Sequence, residues 1–153
     1  MFISKYNGSI SMPLTDSHRP FPAQLRRSLG DLDGNEDFAY LLYYVPDDAG
    51  WPDAPGYDDS KYDDEYMQSA GSADAMTIEV KRREGDGELR HYVIGRPGDD
   101  ADAPDVEVRY GSHALSVRPT EVFDADEAAR VYYEYFQTRT VPDTYVLREL
   151  DLS

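Results

Sequence analysis

The chain contains no cysteine, which excludes disulfides, thiolate nucleophiles and cysteine-based zinc sites together. Histidine is nearly as scarce: His18, His91 and His113 stand far apart, at no spacing that suits a shared metal. His91 and His113 fall in or beside strand-like stretches, where a hydrogen-bonded structural histidine is the ordinary expectation. No run of about 18 apolar residues exists, so nothing is expected to span a membrane. The opening stretch MFISKYNGSISMPL lacks a basic region followed by an apolar one, so no export signal is expected and the cytoplasm is the expected compartment. Phosphate-binding Gly-rich loops, GxSxG and HExxH are all missing. Basic residues are few, 15 Lys and Arg against 31 Asp and Glu, for a net charge of −16. A field of that sign repels nucleic acid and anionic membranes and attracts basic proteins.

What is present is enough for a folded domain. The 153 residues are 40% hydrophobic and 12% aromatic, which suits one domain with a real core rather than a disordered acidic tail. The charge is also focused. Residues 46–66 carry eight acids and one base, net −7, whereas the rest of the chain carries 23 acids and 14 bases, net −9. A charge kept only for solubility would be spread evenly.

Hydrophobic periodicity orders the elements. Phe2 to Tyr6 and Ile10 to Met12 suggest a short strand or strand pair. RPFPAQLRRSLGDLDG reads as a helix, with Pro22 suited to its first helical position, Leu25, Leu29 and Leu32 on one face, and Gly30 or Gly34 ending it. FAYLLYYV, Phe38 to Val45, is apolar on both alternating faces, as in a central strand covered on both sides. Met76, Ile78 and Val80 alternate with Thr77, Glu79 and Lys81, predicting a half-buried strand. The GDG at Gly85 to Gly87 turns the chain into ELRHYVIGR, and VEVRY and ALSVRP follow, which predicts four consecutive antiparallel strands in the middle third. In FDADEAARVYYEYFQT, Asp124 is a helix cap and Glu127 its capping-box partner. Phe123 and Ala128 take hydrophobic-staple positions, and Ala128, Val131, Tyr132, Tyr135 and Phe136 form the apolar stripe. TYVLREL, Thr144 to Leu150, is a last strand. The order predicts a single α+β domain over residues 1–153, a mainly antiparallel sheet of about six strands with two helices on it. An acidic, aromatic-rich loop is expected at 46–75.

Chemistry is harder to find. DLDGNED resembles a calcium loop only faintly, because Leu42 falls where an EF-hand needs its bidentate glutamate, and a helix stop is the better reading. The carboxylates of the acidic loop resemble a glycosidase pair or a Mg²⁺ site in number, but acid–base work needs carboxylates at a defined separation on rigid elements. No catalytic residue, cofactor or metal is therefore expected. A small enzyme using those carboxylates stays open as an alternative.

The acidic segment itself interleaves carboxylates with large aromatics: Asp47, Asp48, Trp51, Asp53, Tyr57, Asp58, Asp59, Tyr62, Asp63, Asp64, Glu65 and Tyr66. Solvating acidic segments are poor in aromatics. This pattern suits a partner-binding surface. Carboxylates take the place of phosphates and steer encounter, while aromatic rings supply anchoring area. Such a surface would block a nucleic-acid-handling protein or regulate some other DNA-binding protein. The competing reading is a solvated segment whose tyrosines only decorate it.

From Val106 onward, about 45 residues carry a further pattern: a strand ending in Tyr110 and Gly111, a second strand, Pro119, an acid-capped helix to Phe136, Thr138, Pro142 and a final strand. In sequence this is VRYGSHALSVRP followed by FDADEAARVYYEYFQTRTVPDTYVL. It resembles the C-terminal half of the first-named (type 1) immunity-protein family of bacterial polymorphic toxin systems. Arg139 stands where that pattern has a glycine, and Leu147 lies near the place of its tryptophan. The resemblance implies an α+β protein that binds and neutralises a cognate toxin domain, often a nucleic-acid deaminase or nuclease. Recognition residues vary with the toxin in such proteins, so none is carried over by motif, and the resemblance leaves the oligomeric state open.

Overall fold

A computed structural model describes residues 2–7, 10–15, 19–46, 55, 62, 64–98, 104 and 106–150. Among them the chain forms β1 (Phe2–Tyr6), β2 (Ile10–Pro13), α1 (Phe21–Gly30), β3 (Ala39–Tyr44), β4 (Tyr66–Gly71), β5 (Met76–Arg83) and β6 (Leu89–Gly95). It continues with β7 (Val106–Tyr110), β8 (His113–Val117), a single 3-10 turn (Pro119–Glu121), α2 (Ala125–Thr138) and β9 (Val146–Glu149). Seven strands form one sheet in the order β2-β1-β3-β4-β5-β6-β9, and β7 and β8 form a separate ribbon. All pairs are antiparallel. Both helices pack on one face of the large sheet, so the α+β class expected from the sequence holds.

The middle third departs from expectation. The meander of four consecutive strands is β3-β4-β5-β6, two strands earlier than predicted, and β7–β8 leaves the sheet. The strand missing from the sequence reading is Tyr66–Gly71, inside the stretch expected to be loop. Its sequence, YMQSAG, has too little β-branched or alternating apolar character to signal a strand. Burial between two neighbours supplies what propensity does not. Gly71 is required here: it sits at φ +128, and a Cβ would lie 2.4 Å from the Ala75 carbonyl oxygen and 2.9 Å from Val108 of the ribbon.

Strand alternation sets the core. Tyr40, Leu42, Met67, Ile78, Val80 and Ile94 pack with Leu25 and Leu29 of α1 and with Ala128, Val131, Tyr132 and Tyr135 of α2. Two tyrosines in this layer are fully buried and each hydroxyl has a serine from the sheet. The Tyr132 hydroxyl donates to Ser69 Oγ at 2.9 Å, and the Tyr40 hydroxyl lies 2.7 Å from Ser4 Oγ. The two rings meet edge to face, 5.5 Å apart. Serine mid-strand thus serves a buried phenol, which would otherwise lose its hydrogen bond to water.

The helix ends follow their sequence signals with one change. α1 begins at Phe21, one residue before the expected start, and Pro22 in its first turn still forfeits no helical hydrogen bond. Asp124 Oδ1 accepts from the Glu127 backbone amide at 2.9 Å, as a cap should. The expected reciprocal half of the capping box does not form. The Glu127 carboxylate instead takes a bidentate pair from Arg96, with Nη2 to Oε1 at 2.8 Å, and accepts from the Tyr145 hydroxyl at 3.0 Å. A charged guanidinium outcompetes a neutral amide for the same carboxylate. Nearby, Arg148 grips the buried Glu121 at 2.8 and 2.9 Å, and Glu121 also accepts from the Arg118 backbone amide at 2.7 Å. Burial pushes the Glu121 carboxyl up, but these donors outweigh it and hold it below the usual carboxylate range. β6, the 3-10 turn, α2 and β9 are stitched together by these two pairs.

Candidate functional site

The opposite face of the sheet carries fewer apolar residues. At one end Ile3, Tyr43 and Val45 are buried together, with Leu41, Tyr62 and Tyr66 packed against them. At the other end the β7–β8 ribbon folds over β4. Its turn is held by a hydrogen bond from the Gly111 amide to the Gly34 carbonyl at 2.9 Å, and Phe38 lies against Gly111. Gly111 takes φ +63, which the tight turn of the ribbon requires.

Of the residues expected to bind a partner, Tyr62, Asp64, Glu65 and Tyr66 are described, and they come together where the acidic segment re-enters the sheet. Asp47, Asp48, Trp51, Asp53, Tyr57, Asp58, Asp59 and Asp63 lie outside the described residues. Glu65 Oε1 accepts from the Arg83 backbone amide at 2.9 Å, and Asp64 Oδ2 lies 3.5 Å from an Arg83 guanidinium nitrogen. Tyr66 opens β4 opposite Lys81, whose ammonium is 5.8 Å from the centre of its ring. Tyr66 is therefore a sheet residue, not a loop anchor. A pocket of about 340 Å³ lies where this segment meets the end of α2, lined by Tyr44, Tyr62, Glu65, Arg82, Tyr135, Thr138 and Arg139. Burial, and after it the charge of Glu65, pushes the Tyr135 hydroxyl up to about 12, so it remains a neutral donor.

A second group was not foreseen. Gln68, Glu79 and His91 project from β4, β5 and β6 onto the face away from the helices. Gln68 Nε2 donates to Glu79 Oε2 at 2.9 Å, and His91 Nε2 lies 3.5 Å from Glu79 Oε1. Glu79 and His91 are only 8% and 9% exposed. Neither nitrogen of His91 has a hydrogen-bond partner, so the hydrogen-bonded structural histidine expected from the sequence is not what stands here. His113, by contrast, is exposed at the start of β8 beside the Tyr110 ring. An unpartnered buried polar atom costs about 1–3 kcal/mol, which marks His91 as an unusual expense for a purely structural residue. Burial pushes the Glu79 carboxyl up, with the Gln68 hydrogen bond opposing. Burial and the neighbouring Lys81 charge hold His91 below the usual imidazole range, so it is neutral at pH 7.

Sequence reasoning missed this group because Glu79 occupies the polar phase of an alternating strand, the phase that normally meets water. Alternation reports which residues share a face, not what covers it. Among the described residues, no cluster of three or more His, Asp or Glu is placed to hold a metal ion. The faint calcium-like loop instead forms a local turn, in which Asp33 Oδ1 accepts from the Asn35 and Asp37 amides at 2.8 and 3.1 Å. No described helix is long and apolar enough to cross a membrane. The sequence matches no protein-family model and no curated protein.

Proposed function

We propose that this protein is an immunity protein, a non-enzymatic cytoplasmic inhibitor. It binds a basic toxin domain, a nucleic-acid deaminase or nuclease, and covers its active-site cleft. The observation that carries this reading is that the described end of the acidic, aromatic segment is fastened to the sheet. Asp64 and Glu65 are held on Arg83, and Tyr62 packs on the Ile3, Tyr43 and Val45 cluster. Carboxylates presented from a fixed base lose less entropy on docking than those of a free tether. The net charge of −16 supplies long-range steering toward a basic surface. Inhibition of this kind needs no cofactor.

A second reading, a small enzyme, draws support from the buried Glu79 beside His91 in an open recess. Such a pair is suited to general acid–base work only if a substrate atom comes within hydrogen-bond reach. A nucleic-acid mimic acting on a different DNA-binding protein would use the same acidic segment as the first reading.

The deciding experiment is a titration of the purified protein into the C-terminal domain of a secreted toxin encoded beside its gene. Stoichiometric loss of toxin activity is expected. A toxin that stays active at excess inhibitor would sink the immunity reading.

A further inference from the structure

On the sheet face away from the helices, a recess of about 430 Å³ lies between the strands and the β7–β8 ribbon. Gln68, Glu79 and His91 form one polar part of it, Lys5 and Asn7 line it further along, and Leu41, Leu115 and Tyr110 stand along its sides. Each polar group offers an acceptor. Gln68 spends one of its two amide N–H donors on Glu79 Oε2 and keeps its carbonyl oxygen as an acceptor. Glu79 Oε1 has His91 Nε2 at 3.5 Å, too long for a good hydrogen bond. A neutral imidazole has one acceptor nitrogen, and neither nitrogen of this buried ring is partnered. Among the described residues, the one ion-pair contact of Glu79 is that histidine.

An acceptor-rich recess with a carboxylate at its base and apolar sides calls for a planar, donor-rich cation. Guanidinium fits this description: five N–H donors in one plane, weakly hydrated faces that stack on apolar and aromatic groups, and a fork that matches a carboxylate. An ammonium is more strongly hydrated and has no flat face to lay on Leu115 or Tyr110. Lys5 lines the recess, and Lys81 on β5 stands opposite His91. The Lys5 ammonium lies 5.2 Å from the Tyr43 ring centre and that of Lys81 5.8 Å from the Tyr66 ring centre, so each is drawn over an aromatic face.

We propose that this recess receives one arginine side chain of a basic protein partner, with Glu79 as its counter-ion and Gln68 and His91 as its further acceptors. The identity of that partner rests on the immunity reading; the recess chemistry does not. The recess shares its sheet face with the Tyr62 and Tyr66 end of the acidic segment, since the Tyr66 ring meets His91 edge-on at 5.9 Å. Steering by the segment and insertion of an arginine would therefore act on one continuous surface.

The test follows the His91 ring signals by NMR near neutral pH while a blocked tripeptide, acetyl-Gly-Arg-Gly-amide, is added. The control peptide carries citrulline, which keeps the shape and removes the charge. A saturable shift is expected with arginine, at an affinity roughly tenfold or more above that of the citrulline peptide. Glu79→Gln should weaken arginine binding by roughly the same factor while the spectrum stays that of a folded protein. No saturable shift, equal binding of both peptides, or binding indifferent to Glu79→Gln would each overturn the proposal. The peptide comparison on the unaltered protein stands even if the variant folds poorly. A negative result here sinks the recess and not the immunity reading, and the toxin titration does the reverse.

Discussion

The guanidinium of Arg139 lies 4.5 Å from the centre of the Tyr44 ring, and Arg139 itself closes α2 in the left-handed backbone region at φ 58. Its amide donates to the Tyr135 carbonyl at 2.7 Å, as a helix-ending residue in that region does. Glycine adopts this conformation freely, whereas a side chain makes it costly. The cation–aromatic contact offsets part of that cost and shapes the pocket beside the acidic segment.

Comparing two substitutions separates the backbone cost from the contact. Arg139→Ala loses the Tyr44 contact and keeps the strain, whereas Arg139→Gly loses the contact and relieves the strain. The glycine variant should be the more stable of the two by about 1 kcal/mol in chemical denaturation. Equal stabilities would mean that the left-handed conformation at this position carries no cost.

Removing charge from the acidic segment should act on encounter. Replacing Asp58, Asp59, Asp63 and Asp64 with Asn should slow association with the toxin domain and flatten its salt dependence, with little change in dissociation. Stopped-flow binding at low and physiological ionic strength measures both. Association that is indifferent to salt in the unaltered protein would favour an apolar interface instead.

Aromatic anchors should act on dissociation, and for Tyr62 the structure adds a second expectation. Trp51→Ala should speed dissociation, costing about 2 kcal/mol or more if the ring is a hot spot, without lowering the melting temperature. Tyr62 packs on the buried Ile3, Tyr43 and Val45 cluster, so Tyr62→Ala should lower the melting temperature as well. Thermal melts alongside dissociation rates decide this, and an unchanged melting temperature for Tyr62→Ala would place its ring outside the core.

The tyrosine hydroxyls between sheet and helices should matter to stability alone. Tyr132→Phe removes the donor to Ser69 and leaves a buried serine hydroxyl without its partner, at a cost of about 1–2 kcal/mol in urea unfolding. The double variant Tyr132→Phe with Ser69→Ala should recover part of that loss. No recovery would mean that Ser69 finds another partner.

Glu79 should impose a pH dependence opposite to that of a salt-bridged acid. Its carboxyl is raised from an ordinary value of 4.5, so the folded state resists ionisation that the unfolded state accepts freely. Stability from this group is full below that value and declines as pH rises toward the folded one. His91, lowered from 6.5, works from the other side: its contribution is full above 6.5 and declines as pH falls toward the folded value. Glu79→Gln keeps the Gln68 hydrogen bond and removes only the carboxyl's ionisation. The melting temperature of the variant relative to the unaltered protein should therefore climb as pH rises above the ordinary carboxyl value of 4.5. A gap that narrows with rising pH would mean that Glu79 is stabilised in its charged form.

The parts of the fold legible in the sequence were those with strong local signals. Leu25, Leu29 and Leu32 marked α1, and the stripe from Ala128 to Phe136 with the Asp124 cap marked α2. β3, β5, β6 and β9 were visible from alternation or continuous apolar character. β4 was not, because Gln68, Ser69, Ala70 and Gly71 carry little strand signal of their own. Its place is settled by hydrogen bonding to β3 on one side and β5 on the other. In the acidic segment, the sequence located the charge and the aromatics but not the attachment of Asp64 and Glu65 to Arg83.

By itself, then, the sequence determined the charge field, the absence of thiol chemistry, the two helices with their buried faces and the α+β class. These rest on composition and on contacts between residues near in sequence. Tertiary structure alone decided that β7–β8 leaves the sheet and lies over β4, and that Gln68, Glu79 and His91 meet on one face. Those residues come from three strands, and whether a polar side chain faces water or a recess depends on what distant chain segments cover it. Alternation within a strand cannot carry that information.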